Sequence, residues 1–211
     1  MRTYPRRAHF DYFRTLPSPH VGVTADVDVT ALMRFCRARG CSFYLTAIHT
    51  AARAANRIPQ FRQRICGEGI VEYDVCGTSH TESVGDGTYC YCTLTHDMPF
   101  DRYIAYAQER REACRMRGGL EEDENAEGLL FVSSLPWLHY TALVQPTGGA
   151  GDSNPRITWG RAQEDARGRM MMPVSVLCHH ALVDGVHLAA FYRNLEEELA
   201  LLAGGAQDKG T

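Results

Sequence analysis

Residues 170–178, Met-Met-Met-Pro-Val-Ser-Val-Leu-Cys, carry no charge and run directly into His179-His180-Ala181-Leu182-Val183-Asp184-Gly185, after which residues 186–202 repeat with helical period. The apolar run predicts a buried strand and the periodic stretch an amphipathic helix, so the two histidines fall at a strand-to-loop exit. Functional groups often occupy such exits. A histidine there can take a proton from a hydroxyl near neutral pH, because its reference pKa of about 6.5 lies close to the operating range. Asp184 can brace the turn and Gly185 permits backbone conformations closed to bulkier residues. The structural alternative is a His-His pair that only packs, followed by an ordinary Asp-Gly turn.

The remaining pattern is mixed. Residues 21–27 alternate as a strand, Asp28 predicts the N-cap of a helix over 29–39, and Gly40 its end. Val29, Leu32, Met33 and Cys36 form that helix's buried stripe. Ser42 opens a second helix reaching about Asn56, lined by Ala47, Ile48, Ala51, Ala54 and Ala55, with Pro59 beyond it. Strands are predicted over 69–76, 88–95, 129–133 and 138–144, and a helix over 99–116 with proline near its first turn. Residues 121–127 are a charge run that reads as solvated loop, and 145–155, rich in Gly and Pro, as a further loop. Short turns between strands favour an α+β sandwich over a doubly wound parallel sheet. Residues 1–203 are expected to form one domain and 204–211 a flexible tail.

Length and charge narrow the class. A chain of 211 residues, 45% hydrophobic, suits one compact domain. No stretch is apolar enough to span a membrane, and the basic start lacks the apolar region of a secretory signal, so a soluble, cytoplasmic protein is expected. A net charge of −3, with basic residues scattered, gives no footprint for nucleic acid. The eight cysteines are expected to be reduced thiols, since a chain of this size needs no staples. Cys90 and Cys92 alternate on one strand face and lack zinc-knuckle spacing, so no metal is expected.

Six segments then occur in one order: Arg6-Arg7-Ala8-His9-Phe10, Phe43-Tyr44, Pro59-Gln60-Phe61-Arg62, Phe131-Val132-Ser133-Ser134-Leu135-Pro136-Trp137, Ile157-Thr158, and 179–187 ending in Val186-His187. In order and spacing, across almost the whole chain, they resemble the trimeric, type A chloramphenicol acetyltransferases. The His-His-x-x-x-Asp-Gly motif alone would also fit dihydrolipoyl acyltransferase domains and peptide-synthetase condensation domains. The other segments and the compact length separate them.

The resemblance implies the CoA-dependent acyltransferase fold, a two-layer α+β sandwich with a large mixed β-sheet and helices on one face. It implies transfer of acetyl from acetyl-CoA, as co-substrate, to a primary hydroxyl of chloramphenicol without an acyl-enzyme. His180 would be the general base, Ser133 the oxyanion donor and Thr158 an assistant through a bound water. Asp184 and Arg6 would form an ion pair holding the loop. Tyr12, Phe13 and Tyr89 would line the acceptor pocket, and Tyr44 and Arg161 would meet CoA. His179 would be structural, and His187 would pack or hydrogen-bond within the last helix. The assembly implied is a homotrimer with active sites at subunit interfaces.

Three departures bear on the substrate. Residues 16–20, Leu-Pro-Ser-Pro-His, stand where the family commonly presents Leu, Cys and Phe. Gln145 replaces an apolar pocket residue, and Arg161-Ala162 replaces a Lys-Tyr pair. The same chemistry on another small alcohol is therefore one alternative, and a non-catalytic trimeric binding protein is the other.

Overall fold

The structure, a computed structural model, describes residues 4–85, 87–120 and 125–204. In chain order its elements are α1 (Arg7–Phe13), β1 (His20–Asp28), α2 (Thr30–Arg39), α3 (Phe43–Asn56), β2 (Gln63–Cys66), β3 (Gly69–Glu72), β4 (Gly77–Gly85), β5 (Thr88–Leu94), α4 (Phe100–Arg117), β6 (Leu129–Leu135), β7 (Arg156–Gly160), β8 (Gln163–Glu164), β9 (Met170–His179) and α5 (Gly185–Gly204). Seven strands form one mixed sheet in the order β1-β9-β7-β6-β4-β5, with β8 also paired to β9. β4, β6 and β7 run parallel to one another, whereas β1, β7 and β8 oppose β9 and β5 opposes β4. β2 and β3 make a separate hairpin.

Strand alternation divides the sheet into two faces. Met172, Val174, Val176 and Cys178 of β9, Ile157 and Trp159 of β7, Leu130 and Val132 of β6, and Cys90, Cys92 and Leu94 of β5 belong to the core with residues from all five helices. Burying each of the larger side chains contributes roughly 1.5–3 kcal/mol. The opposite face carries Ser133, Thr158, Ser175 and Tyr89, and this is the face available to a ligand.

Helix signals in the sequence act through identifiable bonds. Ser42 caps α3 by accepting from the Leu45 N–H at 3.4 Å. Gly40 ends α2 in the left-handed region at φ 62°. Asp28 accepts from the Thr30 N–H at 2.9 Å, although Val29 takes the cap geometry, so α2 starts one residue later than expected. α3 packs on α5, and its alanines at 47, 51, 54 and 55 are buried, which lets the backbones approach.

Several expectations are corrected. Residues 69–76 do not make one strand: β3 ends at Glu72, and Gly77 begins β4 against β5 and β6. Residues 138–144 form no strand. Their backbone crosses β7, where the Arg161 N–H donates to the Leu138 carbonyl at 2.7 Å and the Tyr140 hydroxyl to the Thr158 carbonyl at 3.0 Å. Gly160 permits the crossing, because a Cβ there would lie 2.5 Å from the Leu138 carbonyl oxygen. The cysteines are not all free: Cys90 of β5 is bonded to Cys114 of α4. α5 includes Gly204, whereas 205–211 of the expected tail and 121–124 of the charge run lie outside the described residues. Among the described residues no helix is long and apolar enough to cross a membrane.

Candidate active site

His180 follows β9 directly, and three contacts fix its ring and backbone. Its N–H donates to the Pro19 carbonyl at 2.8 Å. Its Nδ1 lies 2.9 Å from the Val183 carbonyl oxygen, and the Phe13 ring stacks on it at 3.8 Å between centroids. A carbonyl only accepts, so Nδ1 carries the hydrogen and the neutral ring has its lone pair on Nε2. Nε2 has no partner among the described residues.

The turn beneath the ring is tied to the start of the chain. Arg6 Nη1 donates to Asp184 Oδ2 at 3.1 Å, and Arg6 Nη2 approaches the His180 carbonyl at 3.5 Å. Asp184 Oδ1 accepts from the Gly185 N–H at 2.7 Å. The Gly185 bond, then the Arg6 bond, holds the Asp184 carboxyl below its ordinary range despite slight burial. His187 Nδ1 accepts from the Asp184 N–H at 2.9 Å, and burial keeps its imidazole below the usual histidine value.

His179 is buried, its Nε2 is bonded to the Ala150 carbonyl at 2.9 Å, and its Nδ1 accepts from the Ala181 N–H at 3.2 Å. Both nitrogens are thus occupied, and burial lowers its pKa. His20, from the divergent segment 16–20, binds the Asp152 carbonyl through Nε2 at 2.9 Å and sets its ring edge against His179. Its imidazole anchors the loop 145–155.

A cleft of about 350 Å³ opens on the other face of the sheet. Ser133 of β6 and Thr158 of β7 are register partners in its wall, and Tyr89, Tyr91, Phe131 and Gln145 contribute to the lining. The Ser133 hydroxyl has no partner among the described residues, whereas Thr158 Oγ1 donates to Gln145 Oε1 at 2.9 Å. Arg156 also lines the cleft, but its guanidinium stacks over Phe131, bonds the Asn154 carbonyl and pairs with Asp152. Burial would raise the Asp152 pKa; the bonds from Arg156 and the Gly148 N–H outweigh it and hold the carboxyl low.

Within one chain the candidate residues therefore form two groups. His180, Phe13, Arg6 and Asp184 cluster at the end of β9, with Tyr12 exposed beside Phe13. Ser133, Thr158 and Tyr89 line the cleft, and His180 is not part of that lining. Tyr44 belongs to neither group. It lies on the helix side, its hydroxyl donates to the Thr81 carbonyl at 3.0 Å, and its ring meets His80 and Trp159. Arg161 follows β7 with an exposed side chain. Sequence reasoning missed Tyr91, Phe131 and Arg156 of the cleft wall. The spacing of Tyr89 and Tyr91 by two residues and of Phe131 from Ser133 would have found the first two, since alternate residues share a face. Among the described residues no cluster of three or more His, Cys, Asp or Glu is arranged to hold a metal ion.

The sequence profile described as "CAT: Chloramphenicol acetyltransferase" matches residues 1–196. The chain belongs to the chloramphenicol acetyltransferase family. It is thus an acetyltransferase, and the family implies acetyl-CoA as co-substrate. The resemblance seen in the motifs is borne out. Chloramphenicol acetyltransferase 2 of Escherichia coli is 29% identical over 205 residues, covering 93% of each chain. A solved chloramphenicol acetyltransferase superposes with a TM-score of 0.83 at 27% identity, covering 94% of this chain and 96% of that one. The fold is also shared with the dihydrolipoamide acetyltransferase of Azotobacter vinelandii, at a TM-score of 0.69 and 19% identity over 92% of this chain and 86% of the other. The α+β sandwich expected from the sequence is therefore the family's fold.

Proposed function

We propose that this protein is a cytoplasmic chloramphenicol O-acetyltransferase that acts through a ternary complex and confers resistance to the antibiotic. The observation that carries the reading is the 2.9 Å contact of His180 Nδ1 with the Val183 carbonyl, which assigns a hydrogen to Nδ1 and leaves Nε2 to face a substrate proton. In the proposed reaction Nε2 takes the proton of the acceptor's primary hydroxyl as its oxygen attacks the thioester carbonyl carbon. Ser133 donates to the oxyanion of the tetrahedral intermediate, and the free hydroxyl of that residue supports the role. The carbon–sulfur bond then breaks, and the departing thiolate takes the proton from His180, leaving the acetyl ester and CoA. Thr158 would assist through a water held by the lone pairs of its hydroxyl, because its proton is given to Gln145. Arg6 and Asp184 hold the turn.

The separation of His180 from the Ser133 and Thr158 wall supports a homotrimer in which the base of one subunit completes the cleft of its neighbour. Tyr12, Phe13 and Tyr89 would then surround the nitrophenyl ring, and the exposure of Tyr12 and Tyr89 in a single chain fits surfaces covered on assembly and binding. Arg161 is assigned to CoA through its exposed guanidinium. The engaged hydroxyl of Tyr44 leaves only its ring for such a contact. A second reading keeps this chemistry on another small alcohol, and the polar Gln145 in the cleft favours it.

The test is CoA thiol release from acetyl-CoA with and without chloramphenicol. Antibiotic-dependent release, reduced about 10²–10⁴-fold in His180→Ala, is the expected result. Release only with a different alcohol would reassign the substrate, and undiminished release by His180→Ala would overturn the base.

A further inference from the structure

Gln145 enters the cleft wall with one end of its amide occupied and the other free. Its Oε1 accepts from Thr158 Oγ1 at 2.9 Å, and both residues line the cleft. Its Nε2 is buried and has no acceptor among the described residues. A buried donor without a partner has lost its hydration and gained nothing in return, so at a ligand site it favours a ligand that completes it. With the amide in this direction the one proton of the Thr158 hydroxyl goes to Oε1, and both N–H groups of Nε2 remain to be satisfied. The neighbouring strong donor, Arg156, is already committed to Asp152, the Asn154 carbonyl and the Phe131 ring. The Gln145 amide is therefore a cleft donor that the described residues leave unsatisfied while holding its other end in place.

We propose that Gln145 is a specificity-determining residue whose Nε2 donates to a second oxygen of the acceptor alcohol, one that is not acetylated, so that the cleft selects alcohols bearing such an oxygen. This rests on the acetyltransferase reading above. The substrate class is an alcohol with a nitro, carbonyl or hydroxyl oxygen placed away from the reacting hydroxyl. An alcohol lacking that oxygen leaves the amide unpaired in the closed complex, and a site built around a hydrogen bond discriminates against such analogues more strongly than an apolar pocket discriminates by size.

The experiment compares kcat/KM for chloramphenicol and three analogues, each altered at one oxygen site: the ring nitro replaced by hydrogen, the secondary hydroxyl replaced by hydrogen, and the amide carbonyl replaced by thiocarbonyl. Wild-type protein, Gln145→Leu and Gln145→Glu are assayed in parallel, with thermal unfolding as a check on folding. Wild-type protein is expected to favour chloramphenicol over at least one analogue by about 10- to 100-fold. Gln145→Leu removes both ends of the amide and narrows that ratio to within about threefold, on the ground that the unpaired-donor penalty is gone. Gln145→Glu keeps an oxygen for Thr158 but presents no N–H₂, so its ratio narrows as well, which assigns the discrimination to the donor rather than to Thr158. Equal wild-type rates on all four acceptors, or ratios unchanged in both variants, overturn the inference and leave the proposed function standing. No acetyl transfer by the wild-type protein to any of the four overturns both.

Discussion

The Nδ1 of His180 and the carbonyl oxygen of Val183 are 2.9 Å apart, within a single turn at the end of β9. The bond makes the backbone itself choose the tautomer, so no buried carboxylate is needed behind the ring. What must then be rigid is the turn, because a shift of the Val183 carbonyl rotates the imidazole with it. Misplacement of a catalytic group by about 1 Å can cost up to about 10²-fold in rate.

Arg6 and Asp184 bear on that rigidity, since Arg6 reaches both the Asp184 carboxylate and the His180 carbonyl. Arg6→Ala and Asp184→Asn are each expected to lower kcat about 10-fold. The double variant should lose little more than either single one, because both substitutions cut one link. Thermal midpoints should move by only about 2–4 °C, as the Asp184 side chain is 41% exposed and such pairs add little stability. Steady-state kinetics and melting curves on the three variants check this. A double variant reduced by the product of the two single losses would assign the residues independent roles.

Ser133→Ala should lower kcat by about 10²–10³-fold while KM for acetyl-CoA stays within about threefold, because an oxyanion donor acts on the transition state and not on the bound thioester. Ser133 has no partner among the described residues to leave unpaired, so folding should be unaffected. A rise in KM at constant kcat would instead make it a ground-state contact.

The elements legible in the sequence are those whose signal is local. β9 and α5 were readable because nine uncharged residues and a clear helical period leave little choice, and α3 because Ser42 and its alanines mark a cap and a buried face. α1 was missed. It has seven residues and one buried side chain, Phe10, so it is held by tertiary contact and not by periodicity. Residues 138–144 look like a strand but have Leu138 and Val144 exposed, and a hydrogen bond to Arg161 across Gly160 decides their path. His180 and Asp184 are legible from the strand-to-helix pattern around them, and the other site residues from motif resemblance. Their division into two groups depends on the order of strands in the sheet and on how α1 returns to His180, which no local pattern fixes.

The bond between Cys90 and Cys114 ties α4 to the strand that carries Tyr89 and Tyr91. Thiol titration of denatured, unreduced protein should therefore count six of the eight cysteines, and all eight after reduction. Cys114→Ser should lower the free energy of unfolding by about 2–4 kcal/mol, measured by denaturant titration without reductant. Eight thiols before reduction would show that the pair is not joined in the isolated protein.

His49 and His96 make stability sensitive to acid. They are 3% and 6% exposed, His49 lies against the rings of Phe100 and Tyr103, and neither of its nitrogens has a partner among the described residues. Burial first, then the Arg53 charge and His96, pushes His49 down to about 3. Burial and Arg53 push His96 to about 4 against the opposing charges of Asp97 and Glu198. Both values lie below the ordinary 6.5, so as pH falls the unfolded chain binds these protons first and unfolding takes them up. The stability they permit is complete above about pH 6.5 and declines as pH falls towards 3–4, where the folded protein begins to bind them too. At pH 5 the loss should be about 2 kcal/mol for each histidine relative to pH 8. Urea unfolding at pH 8, 6.5 and 5 measures it, and His49→Gln, which cannot become charged, should remove about 2 kcal/mol of the loss at pH 5. Parallel pH dependence in the wild-type and variant proteins would place the acid sensitivity in other groups.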